Sequence, residues 1–395
     1  MHLAILILGA LGHVILWVGL VNRAHGLGIQ RRWVNALSVL CCILFAGVPI
    51  AAAVAIGTQW TFPPVGVAPA IAWDYLAVCS IVCVVAAIQR WRWYCHPERR
   101  GALFSNHTSQ INLAEDIAGP LTAPGIPRWL SRLPGNEALT IRVQEKHLAI
   151  PRLTSAYGGL RIVHISDLHM SGRISKAYFE RVVDEVNRCQ PDLIAITGDL
   201  VEREACLDWV PSTFGRLQAR DGVFYVLGNH DRHVRKDRLT AALTDAGLFH
   251  LGGTWRRVTI RHTPVILAGN ELPWYGPAAD FRDCPTRDSR GLPLRIVLAH
   301  SPDRFGWARE NDVDLLLAGH NHGGQVCLPL LGPIVAPSLQ GVRYASGAFR
   351  ADNTVLHVSR GTSSLTPLRW NCPPEIAVLN LRPSADDQSR FSAFG

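Results

Sequence analysis

A chain of 395 residues that is 48% hydrophobic and only 18% charged is too apolar for a disordered polypeptide, and long enough for one large domain or two ordinary ones. Its formal net charge of +8 is unevenly placed: residues 1–105 carry seven arginines against Asp74 and Glu98, a net of +5, leaving +3 for the rest. The remainder has no run of Lys and Arg that would form a nucleic-acid track, so no nucleic-acid partner is expected.

The first hundred residues hold three apolar runs, 3–21, 34–56 and about 71–89. Each approaches the roughly 20 residues that cross a bilayer as a helix. Trp33 and Trp60 flank the second run, Trp73 and Tyr75 open the third, and Trp91, Trp93 and Tyr94 close it, as aromatic belts do at membrane interfaces. The first run lacks a basic n-region and two more spans follow it, so it reads as an anchor rather than a cleaved leader. Arg23, Arg31 and Arg32 lie between the first two runs, the next connection is uncharged, and Arg90, Arg92, Arg99 and Arg100 follow the third. Basic residues favour the cytoplasmic side. The expectation is a multi-pass protein of the cell (inner or plasma) membrane, with everything after residue 90 in the cytoplasm.

Residues 97–137, rich in Pro, Gly, Ser and Asn, read as a linker, including the amphipathic piece "IPRWLSRLPG". Alternation starts at "ALTIRVQEKHLAI", a strand pair at a domain edge. The tail from 383 to 395 is expected to be disordered. Five of the ten cysteines lie in or beside the spans, and the other five are scattered and never spaced CxxC. That pattern fits reduced core thiols rather than a disulfide framework or a zinc–thiolate site.

From 159 to 320 one pattern recurs. An apolar run ends abruptly in polar residues: "LRIVHIS" before Asp167, "DLIAIT" before Gly198-Asp199, "GVFYVL" before Gly228-Asn229-His230, "LRIVLA" before His300, and "VDLLLA" before Gly319-His320. Runs without polar alternation are strands buried on both faces. Between the first two, "SKAYFERVVDEVNRC" has helical apolar spacing, which makes a βαβ crossover; "DRLTAALTDAG" reads as a second helix. In open α/β sheets ligands bind beyond the carboxyl ends of strands. Those ends carry Asp167, His169, Asp199, Asn229, His230, His300, His320 and His322. Oxygen and nitrogen donors without thiolates suit Mn²⁺, Fe²⁺/Fe³⁺ or Zn²⁺. They are too many for one tetrahedral ion, and two ions sharing a carboxylate would use them all.

The ordered set D-x-H, GD, GNHD, H and GHNH, with "PDLIAITGDLV", "AHSPD", "GHNHGGQVCLPLLGP" and "RWNCPPEIAVLNL", resembles the calcineurin-like dinuclear metallophosphoesterases. It is most similar to their membrane-associated bacterial branch, which includes UDP-diacylglucosamine hydrolases of lipid A biosynthesis. The resemblance implies an α/β sandwich of two central β-sheets flanked by helices over residues 138–382, preceded by a membrane domain of three transmembrane helices over 1–96. It implies two divalent ions: Asp167, His169 and His322 on one, Asn229, His300 and His320 on the other, and Asp199 bridging them. A hydroxide between the ions would attack phosphorus. His230 would protonate or stabilise the leaving group, with Asp231 orienting its ring. The implied substrate is a phosphate ester or diphosphate on a small molecule or a lipid-linked carrier. Soluble phosphodiester or phosphoprotein substrates, and a non-catalytic scaffold, are the alternatives. One departure stands in "SRGTSSLTPLRW": Thr362 follows Gly361 where the branch often has another glycine, in a loop expected to border the substrate. Gln325 and Arg369 are further candidates for substrate contact, Glu202 reads as a solvated helix start, and His164, His250, His262 and His357 read as structural.

Overall fold

The computed structural model describes residues 2–57, 68–96, 98, 101–288 and 292–384. Trp60, most of the uncharged second connection, Arg99, Arg100 and the tail from 385 lie outside the described residues. Two compact units emerge, one of residues 1–96 with 337–343 and one of 97–336 with 344–395.

The first unit is built on α1 (His2–Gly26), α2 (Arg31–Gly57) and α3 (Ala68–Tyr94). All three are long and apolar enough to cross a membrane. Where α1 meets α3 the contact is close because Gly12 has no side chain: a Cβ there would strike the carbonyl of Cys79. Small residues allow such backbone approach where no hydrophobic effect drives helices together. His13 ties the three helices, its Nδ1 2.6 Å from the Tyr75 hydroxyl and its Nε2 2.9 Å from the Phe45 carbonyl.

The second unit stacks two mixed sheets. The larger holds β1 (Leu103–Asn112), β2 (Thr140–Ile150), β3 (Arg161–Ile165), β4 (Leu193–Thr197), β5 (Val223–Val226) and β6 (Phe249–His250), in the order β1-β2-β15-β3-β4-β5-β6, where β15 is Glu375–Pro383. The other holds β7 (Trp255–Ile260), β8 (Thr263–Asn270), β9 (Leu294–Ala299), β10 (Leu315–Ala318), β13 (Gly347–Ala351) and β14 (Thr354–Val358), in the order β13-β14-β10-β9-β8-β7. A small hairpin, β11 (Cys327–Leu328) with β12 (Gly332–Pro333), stands apart from both.

Strand alternation sorts the core into two layers. On β3 and β4, Val163, Ile165, Ile194 and Ile196 face a cluster with Tyr178, Phe179, Val182 and Val186 of α6 (Lys176–Arg188). Their neighbours Ile162, Leu193 and Ala195 face Leu267, Ile296, Leu298, Leu315 and Leu317 of the other sheet. Both faces of these strands are therefore dry, which is why they read as unbroken apolar runs. The parallel pairs β3/β4, β4/β5, β8/β9 and β9/β10 place their carboxyl ends together.

Residues 97–137, expected as a linker, contain β1, α4 (Leu113–Asp116) and α5 (Ile126–Ser131). β1 pairs antiparallel with β2 as the edge strand of the larger sheet. Its side chains are almost all exposed, so it is held by main-chain bonds and carries no alternating apolar signal.

Candidate metal centre

The polar residues at the strand ends form one cluster. Asp167 and His169 follow β3, Asp199 follows β4, Asn229 and His230 follow β5, His300 follows β9, and His320 and His322 follow β10. The turns are strained: Asp167, His169, Asp199, His320 and His322 all have positive φ, between 50° and 72°. L-residues seldom adopt this conformation, and it concentrates at functional sites. Three glycines make the close approach possible. A Cβ on Gly198 would strike the His300 ring, one on Gly228 the Asp199 carboxylate, and one on Gly319 the Asp167 carboxylate.

Among the described residues ligand atoms gather in three groups: Asp167 with His169 and His322, Asp199 with His300 and His320, and, sharing His169 with the first, His169 with Glu202 and His230. In the first, His169 Nε2 is 3.0 Å from His322 Nε2, which is 3.5 Å from Asp167 Oδ1. In the second, His300 Nε2 lies 3.0 Å from Asn229 Oδ1, 3.2 Å from His320 Nδ1 and 3.3 Å from Asp199 Oδ2. Asp199 Oδ2 is also 3.6 Å from His169 Nε2, so this carboxylate stands between the groups.

His300 tests whether cations fit. Its Nδ1 is 2.7 Å from the Thr197 carbonyl, which only accepts, so Nδ1 carries a proton and Nε2 faces the Asn229 and Asp199 oxygens. Positive charge must lie there, either as a second N–H on the ring or as a cation that the Nε2 lone pair would hold. Burial opposes a charged imidazole, yet Asp199 and Asp167 lift His300 to about 9. Burial likewise opposes the Asp199 carboxylate, and His300, His230 and His169 outweigh it and hold the group well below its usual range. Burial, with the Asp199 charge, pushes Asp167 up. Burial and the neighbouring His169 hold His322 well below its ordinary value, but a pocket that draws a proton to His300 and raises one of its acids still lacks positive charge beside Asp199 and Asp167. Divalent ions supply it, and the nitrogen and oxygen donors suit them.

His230 sits beside this cluster, its main-chain N–H donating to Asp199 Oδ1 at 2.8 Å. Asp231, expected to orient the His230 ring, does something else. Its carboxylate accepts from the main-chain N–H groups of Asp199, Leu200, Val201 and Gly228 at 2.8–3.0 Å, pinning two ligand-bearing loops together. Burial, then Asp199, pushes its carboxyl up to about 7. The partner of His230 Nδ1 is Glu202. Burial would raise Glu202, but the imidazoles of His169 and His230 beside it bring it down to about 2. Glu202 is therefore a buried carboxylate behind the cluster and not the solvated helix start that its sequence suggested.

Arg369 also departs from expectation. It is fully buried and holds no exposed face for a phosphate. It donates to the carbonyls of His322 (2.8 Å), Arg360 (2.8 Å) and Cys372 (3.4 Å) and of Ser363, to Ser364 Oγ (3.3 Å), and to His322 Nδ1 (3.1 Å). It packs against the His322 ring and limits its rotation. Thr362, expected at the substrate border, is buried as well; its N–H donates to the Ser166 carbonyl at 2.8 Å and Ser363 N–H to that of Asp167 at 3.2 Å. The loop braces Asp167 from behind. Gln325 is half-buried just past His322, with a positive φ of 55°.

His164 and His357 are buried between the sheets, their Nδ1 atoms 2.8 Å apart, and join Thr197 and Lys146 in an internal chain. Trp274 was not legible as a site residue. Its ring lies 4.7 Å from that of His320 and 5.3 Å from that of His300, walling the second ligand group; only the aromatic pair in "ELPWYG" hinted at it.

Residues 160–324 match the calcineurin-like phosphoesterase family. The chain is 29% identical over 278 residues to "Uncharacterized metallophosphoesterase YkuE" of Bacillus subtilis (strain 168), covering 67% of this chain and 93% of the relative. It is 31% identical over 229 residues to phosphodiesterase YaeI of Escherichia coli (strain K12), covering 56% and 82%. It is 24% identical over 324 residues to UDP-2,3-diacylglucosamine pyrophosphatase LpxG of Chlamydia muridarum (strain MoPn / Nigg), covering 69% and 96%. With a strand-end cluster of carboxylates and imidazoles suited to divalent ions, the chain belongs to the calcineurin-like phosphoesterases and is a phosphoester hydrolase.

Proposed function

We propose that the chain is a membrane-anchored, two-metal phosphoesterase whose substrate is a phosphate ester or diphosphate on a lipid-linked carrier. Asp167, His169 and His322 would hold one divalent ion, Asn229, His300 and His320 the other, and Asp199 both. Bound there, the ions supply a nucleophile at neutral pH and neutralise charge gathering on phosphorus. The residues do the rest. His300 presents Nε2 because Nδ1 is committed to the Thr197 carbonyl, and Arg369 holds the His322 ring. His230, braced by Glu202, is the group for the leaving oxygen, and Asp231 keeps the loops of Asp199 and Gly228 in register.

One observation carries the chemistry: two ligand groups with the Asp199 carboxylate between them. The lipid substrate is supported by the three membrane-length helices and by the likeness to LpxG. Confining enzyme and substrate to one layer raises their effective concentration without new contacts. The arginines Arg23, Arg31, Arg32, Arg90 and Arg92 support a catalytic unit on the cytoplasmic side.

The test compares kcat/KM for UDP-diacylglucosamine with that for a water-soluble nucleotide diphosphate sugar lacking acyl chains, using full-length protein in bilayers with Mn²⁺. A preference of tenfold or more for the lipid supports the reading. Equal values remove the lipid and leave the helices as an address only.

A further inference from the structure

Beyond the metal centre and the helices, one surface is built for something other than water. Between residues 323 and 342 the chain carries no Asp, Glu, Lys or Arg. Part of this stretch forms the β11–β12 hairpin, with Cys327 opposite Pro333 and Leu328 opposite Gly332. Its tip is Leu330, in a left-handed turn at φ 64° and 101% exposed. Leu328 at 40% and Val335 at 53% extend the apolar surface on either side. A contiguous apolar projection of this kind marks a contact site on a soluble surface.

The hairpin is not a loose loop. Pro333 and the Val335 carbonyl fill the space that a Cβ on Gly324 would need. Cys327 N–H donates to the Trp370 carbonyl at 2.9 Å, and Asn371 Nδ2 donates to the Cys327 carbonyl at 3.1 Å. Its base is thus seated on the turn that carries His320 and His322. Trp370 itself is half exposed beside it. On the neighbouring α5, Ile126 and Trp129 are also exposed, and Asn136 links that helix to the Arg369 loop, donating to the carbonyls of Leu130 at 2.7 Å and Pro367 at 2.8 Å. Tryptophan is the residue that favours the boundary between headgroups and acyl chains.

The chain leaving the hairpin identifies the occupant. Residues 337–343 belong to the membrane-helix unit. Within that unit, the backbone of Ser338 and Leu339 lies against Gly26 at the end of α1, and the Arg343 guanidinium sits 4.3 Å from the Trp93 ring centroid near the end of α3. By covalent geometry alone, the seven residues from Leu330 to Pro337 span at most about 25 Å. Only these seven residues of chain separate the apolar tip from the membrane-helix unit.

We propose that the β11–β12 hairpin, with Trp370 and the exposed face of α5 as its flank, seats in the headgroup–acyl boundary of the bilayer that α1–α3 cross. It is a second membrane contact, made by the catalytic unit itself. It places the metal turn at the headgroup plane whichever phosphoester is cleaved, and so does not depend on the lipid-substrate reading.

The test uses full-length protein in phosphatidylcholine–phosphatidylglycerol nanodiscs. An environment-sensitive nitrobenzoxadiazole amino acid is incorporated at position 330, at 335, or at the exposed loop position 280 as control. Doxyl-labelled lipids are expected to quench the probe at 330 and 335 at least twofold more than at 280. Leu330→Asp, with the probe at 335, is expected to abolish that excess, which separates insertion of the native hairpin from partition of the probe. Quenching at 330 equal to that at 280 overturns the proposal, as does quenching at 335 that Leu330→Asp leaves unchanged. Protection of position 330 that persists in detergent and scales with protein concentration would assign the surface to a second copy of the chain and overturn it equally. None of these readouts needs turnover, so failure of the substrate reading leaves them intact.

Discussion

Replacing Arg369 by Lys separates the role the structure gives this residue from the phosphate contact that its sequence context suggested. Its guanidinium serves six buried acceptors: the carbonyls of His322, Arg360, Cys372 and Ser363, the Ser364 hydroxyl, and His322 Nδ1. An ammonium has three N–H donors, so Arg369→Lys leaves at least three acceptors unserved while keeping the charge. Each costs about 1–3 kcal/mol, and carbonyls that keep another partner fall at the low end, so the expected loss is about 3 kcal/mol. For a domain of this size, at roughly 2–4 °C per kcal/mol, Tm should fall by about 6–12 °C. The His322 ring also loses its brace, so the ion held with Asp167 and His169 should bind more weakly. Thermal unfolding in detergent, with metal content by mass spectrometry on the same sample, reads both effects. A variant that melts within about 2 °C of wild type and keeps its full metal content would refute the reasoning, because a residue that merely holds substrate phosphate would behave that way.

His230→Ala should retain its metal and turn over roughly 10²–10⁴-fold more slowly, the contribution of a positioned proton donor; loss of metal would make His230 a ligand instead. Glu202→Gln should shift turnover in the same direction without removing metal, since Glu202 acts through His230. Burial, chiefly, takes His164 from its ordinary 6.5 to about 3 in the folded protein. The unfolded chain therefore takes up that proton first; the stability tied to neutral His164 is complete above pH 6.5 and is lost towards pH 3, at about 1.4 kcal/mol per pH unit. Denaturant unfolding at pH 7, 6 and 5 should show this slope in wild type and a shallower one in His164→Gln; parallel slopes would contradict it. A reporter fused after residue 105 should read cytoplasmic and one in the 57–69 loop should read outside, and the reverse pattern would overturn the arginine-based orientation.

The site was legible because its geometry is periodic. Unbroken apolar runs ending in Asp167, Asp199, Asn229, His300 and His320 announce doubly buried strands whose carboxyl ends converge, and the structure brings those residues together. The three membrane-length helices were equally plain, since length and apolarity are local properties. What escaped depends on contacts between distant segments. Asp231 adjoins His230 in sequence while Glu202 lies 28 residues before it, and only the fold shows that Glu202 reaches the ring while Asp231 turns to main-chain N–H groups. Arg369 lies close to loop residues that any exposed arginine could follow, and its burial comes from four carbonyls and two side-chain atoms converging on it from both directions of the chain. β1 went unread because an edge strand held by main-chain pairing needs no apolar alternation.

The central claim is that one carboxylate, Asp199, serves two divalent ions. The decisive measurement is metal stoichiometry and bis(p-nitrophenyl) phosphate hydrolysis on the same purified samples of wild type and Asp199→Asn, after metal removal and titration with Mn²⁺. Wild type should bind two ions per chain with activity rising as the second is filled. Asp199→Asn should bind both weakly and lose hydrolysis, because one lost charge is felt at both sites. An Asp199→Asn protein that keeps two ions and near wild-type turnover would contradict the account.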